Sequence, residues 1–143
     1  MLAGCTPDAT PAPSGDPTGG APSPSSSRSG SAAPALLPDG TAADNLPLFT
    51  EVTDTVWASA DRAAGRAYID ALVAAGFDKA AMQVTHDQST VGNPAESIQF
   101  SVRWGDECLV GQVGPATGDP VTVVVPVLAE GTCLVGQTRP IDW

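Results

Sequence analysis

Apolar and polar positions along this chain follow three successive patterns. Up to about residue 45 there is no period. The segment is Ala, Ser, Pro, Gly and Thr, in runs such as Ala21-Pro22-Ser23-Pro24-Ser25-Ser26-Ser27. Phe49, Val52, Val56 and Ala60 then fall at helical spacing, with Trp57 beside them. They predict a first helix capped by Asp44 or Asn45, with Pro47 in its first turn, where a missing N–H costs nothing. A second helix is predicted from about Asp61 to Ala75, with Tyr68, Leu72 and Ala75 on one face and Ile69 and Val73 widening it. Gly76 suits the left-handed position after the last turn, and Phe77 can fold back on Leu72. Gly65 weakens the start of this helix.

Beyond Phe77 the period becomes two. Met82 to Thr85 predicts a short strand, and Ile98, Phe100, Val102 and Trp104 alternate with Gln99, Ser101 and Arg103 in a longer one. Gly105-Asp106 supplies a two-residue turn of type II′, glycine first. That turn sets Val102 against Leu109, Phe100 against Gly111 and Ile98 against Val113, leaving one face apolar and room for the phenylalanine ring. Val121 to Leu128 predicts a further strand, with Pro126 favouring an edge. Pairing Leu128 with Cys133 would place Val127 opposite Leu134 and Val125 opposite Gly136. The expected fold is α+β: two helices on one face of an antiparallel meander of four to five strands.

Composition divides the chain at the same point. Residues 1–45 hold 8 of the 14 prolines and none of the 7 aromatic residues, too little apolar surface to offset the entropy of ordering. Residues 6–45 therefore read as a disordered tether, reaching on the order of 35 Å. Residues 46–143 read as one domain, with 12 acidic against 5 basic side chains. The whole chain has 143 residues and a net charge of −10, which argues against nucleic acid as a partner. No run of the sequence approaches the length of a membrane span. One histidine and three cysteines offer little for a zinc site, and no metal or cofactor is expected.

Cys108-Leu-Val-Gly-Gln112 and Cys133-Leu-Val-Gly-Gln137 are identical pentapeptides. Two copies do not make a repeat architecture; they read as two strands starting at the same end of the sheet. Both cysteines would then leave its outer face, and a Cys108–Cys133 disulfide is expected. Closing that loop should stabilise a domain of this size by roughly 3–3.5 kcal/mol.

Leu2-Ala3-Gly4-Cys5 resembles the lipobox of bacterial lipoproteins, in which the cysteine thiol receives a diacylglyceryl group. Residues 1–5 thus read as the remnant of a signal peptide, with Cys5 as the lipidation site. The run Ile98 to Asp106, with Cys108 to Gln112, Cys133 to Trp143 and the helical stretch Asp70 to Lys79, resembles an uncharacterised family of actinobacterial lipoproteins, domain of unknown function 6993. Five arginines against one lysine and many alanines fit high-GC coding. The resemblance implies a lipid-anchored protein on the outer face of the cytoplasmic membrane. It carries no activity.

The search for chemistry is mostly negative. His86 reads as a solvated loop residue, and Asp106 and Glu107 as a solvated turn, because neighbouring strand residues point to opposite faces. The sequence has no G-x-S-x-G, G-x-G-x-x-G, Walker A, H-E-x-x-H or EF-hand motif. Trp104 with Arg103, and Arg139 with Trp143, are candidates for a binding patch, since Trp and Arg are enriched at interface hot spots; core packing of the 139–143 segment is the plainer reading. The expected function is a non-catalytic binding or interaction module, held to the membrane by lipid on Cys5, whose partner is an envelope protein or wall component. An extracellular hydrolase of wall or lipid components, and a plainly secreted structural or inhibitory module, are the alternatives.

Overall fold

Helix α1 spans Ala42–Trp57 in the computed structural model, which describes residues 33–143. Its start is a capping box. Thr41 Oγ1 accepts the Asp44 N–H at 3.1 Å, and the Asp44 carboxylate accepts the Thr41 N–H at 2.8 Å. The Thr41 N–H first, and the Thr41 hydroxyl second, hold the Asp44 carboxyl below the usual carboxylate range. The cap is therefore Thr41 rather than Asp44 or Asn45. Pro47 lies inside the helix, on its exposed side, as does Ala43, the residue whose carbonyl loses its partner. The helix ends before Ala60, which is exposed.

The folded unit begins at Pro34, earlier than the boundary at residue 46 expected from composition. The buried Asn45 explains this. Its Oδ1 accepts the Leu37 N–H at 2.7 Å, and its Nδ2 donates to the carbonyls of Leu37 and Thr41 at 3.0 and 2.9 Å. A buried amide satisfied in this way orders the preceding turn. The Trp104 indole adds a bond to the Gly40 carbonyl at 2.8 Å. Residues 1–5 and most of the expected tether lie outside the described residues.

Helix α2 spans Gly65–Ala74, shorter at its start than expected. The C-terminal end is the expected Schellman turn. Gly76 adopts φ +110, its N–H bonds the Val73 carbonyl, and the Phe77 N–H bonds the Leu72 carbonyl at 3.1 Å. A single 3₁₀ turn, Lys79–Ala81, leads into the sheet.

Strands β1 (Met82–Thr85), β2 (Ile98–Trp104), β3 (Glu107–Val113) and β4 (Val121–Pro126) form an antiparallel meander. The β2–β3 register is the expected one: Val102 with Leu109, Phe100 with Gly111, Ile98 with Val113. Both helices cover one face of it, α1 over β3 and β4, α2 over β1 and β2. Phe100 lies at the centre of the core, stacked on Tyr68 and Phe49 at centroid distances of 4.7 and 5.6 Å.

The chain departs from the expected path after β4. Leu128 and Thr132 close a tight loop, but Cys133–Gly136 does not return as a strand beside β4. The segment crosses the outer face of the sheet. The last strand, β5 (Thr138–Arg139), pairs with β1 at the opposite edge, giving the order β4-β3-β2-β1-β5. Three strands fasten this strap. Gln83 of β1 accepts the Cys133 and Leu134 N–H groups at 2.7 and 3.3 Å. Arg103 of β2 donates to the Gly131 carbonyl at 3.0 Å. Cys108 of β3 forms the disulfide with Cys133, Cα–Cα 5.8 Å. The expected disulfide is present, though not between two strands.

Candidate binding site

Trp57, at the end of α1, opens the wall of a cavity of about 330 Å³. The α1–α2 connection adds Arg62 and Ala63, the β1–β2 loop adds Asp87, Pro94 and Ala95, and Ile98 forms part of the wall where β2 begins. Gly114, Pro115 and Gly118, in the loop after β3, complete it. The lining is mostly apolar, and the volume falls at the lower end of the range of about 300–1,000 Å³ typical of small-molecule sites.

Local hydrogen bonds hold these walls. In the β1–β2 loop, the Ser89 N–H bonds the Asn93 carbonyl at 2.7 Å and the Ala95 N–H bonds the Asp87 carbonyl at 2.9 Å. Gln112 Nε2 donates to Ser97 Oγ at 2.8 Å. The loop after β3 closes on Glu96 through the Ala116 N–H at 3.0 Å. Gly114 permits that closure: its φ is +139, and a Cβ there would lie 2.4 Å from the Glu96 carbonyl oxygen. Across the cavity, the Tyr68 hydroxyl donates to the Arg62 carbonyl at 2.9 Å and fixes the α1–α2 connection. Burial pushes the Tyr68 hydroxyl up to about 12, against a lowering by the nearby Arg62 charge.

The polar groups at the cavity are few. The Arg62 guanidinium stacks over the Trp57 ring, 4.3 Å from its centroid. Asp87 Oδ1 accepts the Gly65 N–H at 2.9 Å, and Oδ2 lies 3.6 Å from Arg139 Nη2. A Cβ on Gly65 would approach Asp87 Oδ1 to 2.7 Å and Val84 Cγ2 to 2.8 Å. The glycine that weakens α2 in isolation is thus what lets the helix start against β1 and its loop. On the far side of Asp87, a shallow polar depression is lined by His86, Gln88, Ser89 and Arg139.

The four residues of the expected binding patch do not assemble. Trp104 and Arg103 are consecutive in β2 and face opposite sides of the sheet. Trp104 packs edge-on against Phe77 at 6.1 Å, while Arg103 fastens the strap. Arg139 and Trp143 do meet, with the guanidinium carbon 5.1 Å from the ring centroid. Arg66 and Lys79 also approach this ring, at 5.1 and 5.6 Å. Trp143 Nε1 donates to Asp70 Oδ1 at 2.8 Å, and Lys79 Nζ donates to the Trp143 main-chain oxygen. This is packing of the 139–143 segment, the plainer of the two sequence readings. Burial opposes ionisation of Asp70, but the Trp143 and Arg66 donors and the Lys79 charge outweigh it and hold the carboxyl below its usual range.

Cys5 lies outside the described residues. Among the described residues no cluster of His, Cys, Asp and Glu is suited to a metal, and no helix is long and apolar enough to cross a membrane. Sequence reasoning missed the cavity altogether. Its residues come from five separate segments, and only the Gly, Pro and Ala enrichment of 92–95 and 114–118 hints at close-packed loops.

No curated protein and no solved structure is matched by this chain. A family model, described as a domain of unknown function (DUF6993), matches residues 53–137. That span covers more than half of the chain and runs from the last five residues of α1 through both cysteines of the disulfide. On that match, the chain belongs to the DUF6993 family.

Proposed function

We propose that this chain is an actinobacterial envelope lipoprotein, anchored by lipid on Cys5 to the outer face of the cytoplasmic membrane, whose domain is a non-catalytic binding module. The observation that carries this reading is the Cys108–Cys133 disulfide, because such bonds persist in oxidising, extracytoplasmic compartments. Leu2-Ala3-Gly4-Cys5 supports the anchor, and the Pro- and Ser-rich stretch behind it supports a spacer between membrane and domain. The arginine-over-lysine bias supports the actinobacterial origin. The apolar cavity beside Trp57 supports binding as the domain's role, with a small molecule or an exposed group of an envelope component as its ligand.

Charge alone gives an acidic chain no grip on anionic headgroups. Two acyl chains, at about 0.8 kcal/mol per buried CH₂, suffice for lasting attachment. With a signal sequence placed upstream, the protein should fractionate with membranes and resist a high-salt wash. Cys5→Ser should release it or leave its precursor unprocessed, with the domain still folded. Identical processing and fractionation of the serine variant would replace the anchor with plain secretion.

A further inference from the structure

We propose that the cavity beside Trp57 takes a compact apolar anion, an aromatic or short-chain acyl carboxylate, with its charge on Arg62. The inference rests on the binding-module reading above and names the ligand class.

The body of the ligand follows from the lining. Trp57, Ala95, Ile98 and Pro115 offer an apolar enclosure of about 330 Å³, room for a one- or two-ring system or a short acyl chain and too little for a lipid tail of full length.

The sign of the charge follows from the rim. Residues 34–143 carry 14 acidic side chains against 5 basic ones, so an unselected rim would be acidic. Here the charged groups of the lining are one guanidinium, Arg62, and one carboxylate, Asp87, and Asp87 is already engaged through both oxygens, by the Gly65 N–H and by Arg139 from outside the cavity. Arg62 has no carboxylate within ion-pair distance among the described residues. Its guanidinium lies over the indole, an arrangement that leaves in-plane N–H groups free for the paired oxygens of a carboxylate. A cationic ligand would instead have to take Asp87 from partners that hold the start of α2.

The test uses the full chain with its disulfide intact and three probes of one shape: 2-naphthoate, 2-naphthylmethanol and 2-naphthylmethylammonium. Amide resonances of Ala95, Gly114 and Gly118 report occupancy. The carboxylate should bind about tenfold or more tighter than the alcohol, the scale of one charge-assisted hydrogen-bonded pair, with the ammonium weakest. Arg62→Gln keeps the main-chain carbonyl that Tyr68 uses. It should collapse the carboxylate-to-alcohol affinity ratio from about tenfold or more to about one, whatever the lost stacking on Trp57 does to both probes alike. Equal affinities for all three probes, or a carboxylate preference that survives Arg62→Gln, would overturn the charge assignment while leaving an apolar binding cavity. If none of the probes shifts these amides at millimolar concentration, the cavity is not a binding site, and both readings fall.

Discussion

Gly111 of β3 lies directly opposite Phe100 of β2, so close that a Cβ on the glycine would sit 2.4 Å from Cζ of the ring. The ring in turn stacks on Tyr68 and Phe49. The missing side chain is thus what lets α1, α2 and the sheet share one aromatic centre. Gly111 has no positive φ, so its backbone would accept an alanine; only the ring refuses it.

Gly111→Ala should therefore destabilise the domain by about 1–3 kcal/mol, the usual cost of overpacking a core. In a Phe100→Leu background the same substitution should cost measurably less, a coupling of about 0.5 kcal/mol or more between residues in contact. Urea unfolding of the four variants tests this, and strictly additive costs would contradict it.

Reduction of Cys108–Cys133 should lower stability by about 3 kcal/mol through the entropy returned to the unfolded chain. The strap should loosen first. Amide exchange at Cys133 and Leu134, whose N–H groups bond Gln83, should accelerate before exchange in β2 and β3. Simultaneous loss of protection throughout the domain would show that the strap is not a separable unit.

Gln83→Leu removes the acceptor of both strap N–H groups without touching the disulfide. Leaving such donors unpaired costs about 1–3 kcal/mol. A thermal melt with the disulfide intact should show the loss, and an unchanged transition would mean that water replaces the glutamine.

Tyr68 is the only tyrosine, so ultraviolet absorbance follows its hydroxyl without interference. Burial raises its folded-state value to about 12, against about 10 when unfolded. Because the folded state keeps its proton longer, the associated stability is fully present below about pH 10 and is lost as pH rises through about 12. A native titration with its midpoint near 10 would mean that the hydroxyl is open to water rather than buried.

Asp70 has the opposite sign. Its lowered carboxyl adds stability above the unfolded value of about 3.9, lost as pH falls through the folded one. In Trp143→Ala the Nε1 donor is gone, and the Asp70 titration, followed by carboxyl carbon chemical shift, should move upward toward the ordinary range. An unmoved titration would show that Arg66 and Lys79 suffice without the indole.

Local signals were enough for most of the elements. Alternation in 98–104, the glycine turn and the Phe100–Gly111 fit set the β2–β3 register, because a slip by one residue would turn every apolar side chain to water. The Schellman end of α2 was equally legible in Gly76 and Phe77. The α1 start was not, since composition assigned Asn45 to the tether while its three hydrogen bonds inside the fold bury it. The cavity also lay beyond reach, because its walls come from segments far apart in sequence.

The two copies of Cys-Leu-Val-Gly-Gln mark the boundary between local and tertiary determination. The sequence determined that both copies are apolar enough to lie on the sheet and that their cysteines can meet. It could not determine that the first is a strand and the second a strap. In the first copy, Gly105-Asp106 returns the chain beside β2, ladder partners stand on both sides, and Gly111 receives the Phe100 ring. In the second, the β4 edge is left behind, and the N–H groups of Cys133 and Leu134 bond a side chain, Gln83, instead of a neighbouring strand. Identical residues take different conformations because the partners for their backbone groups and the space for their side chains are set by the rest of the fold.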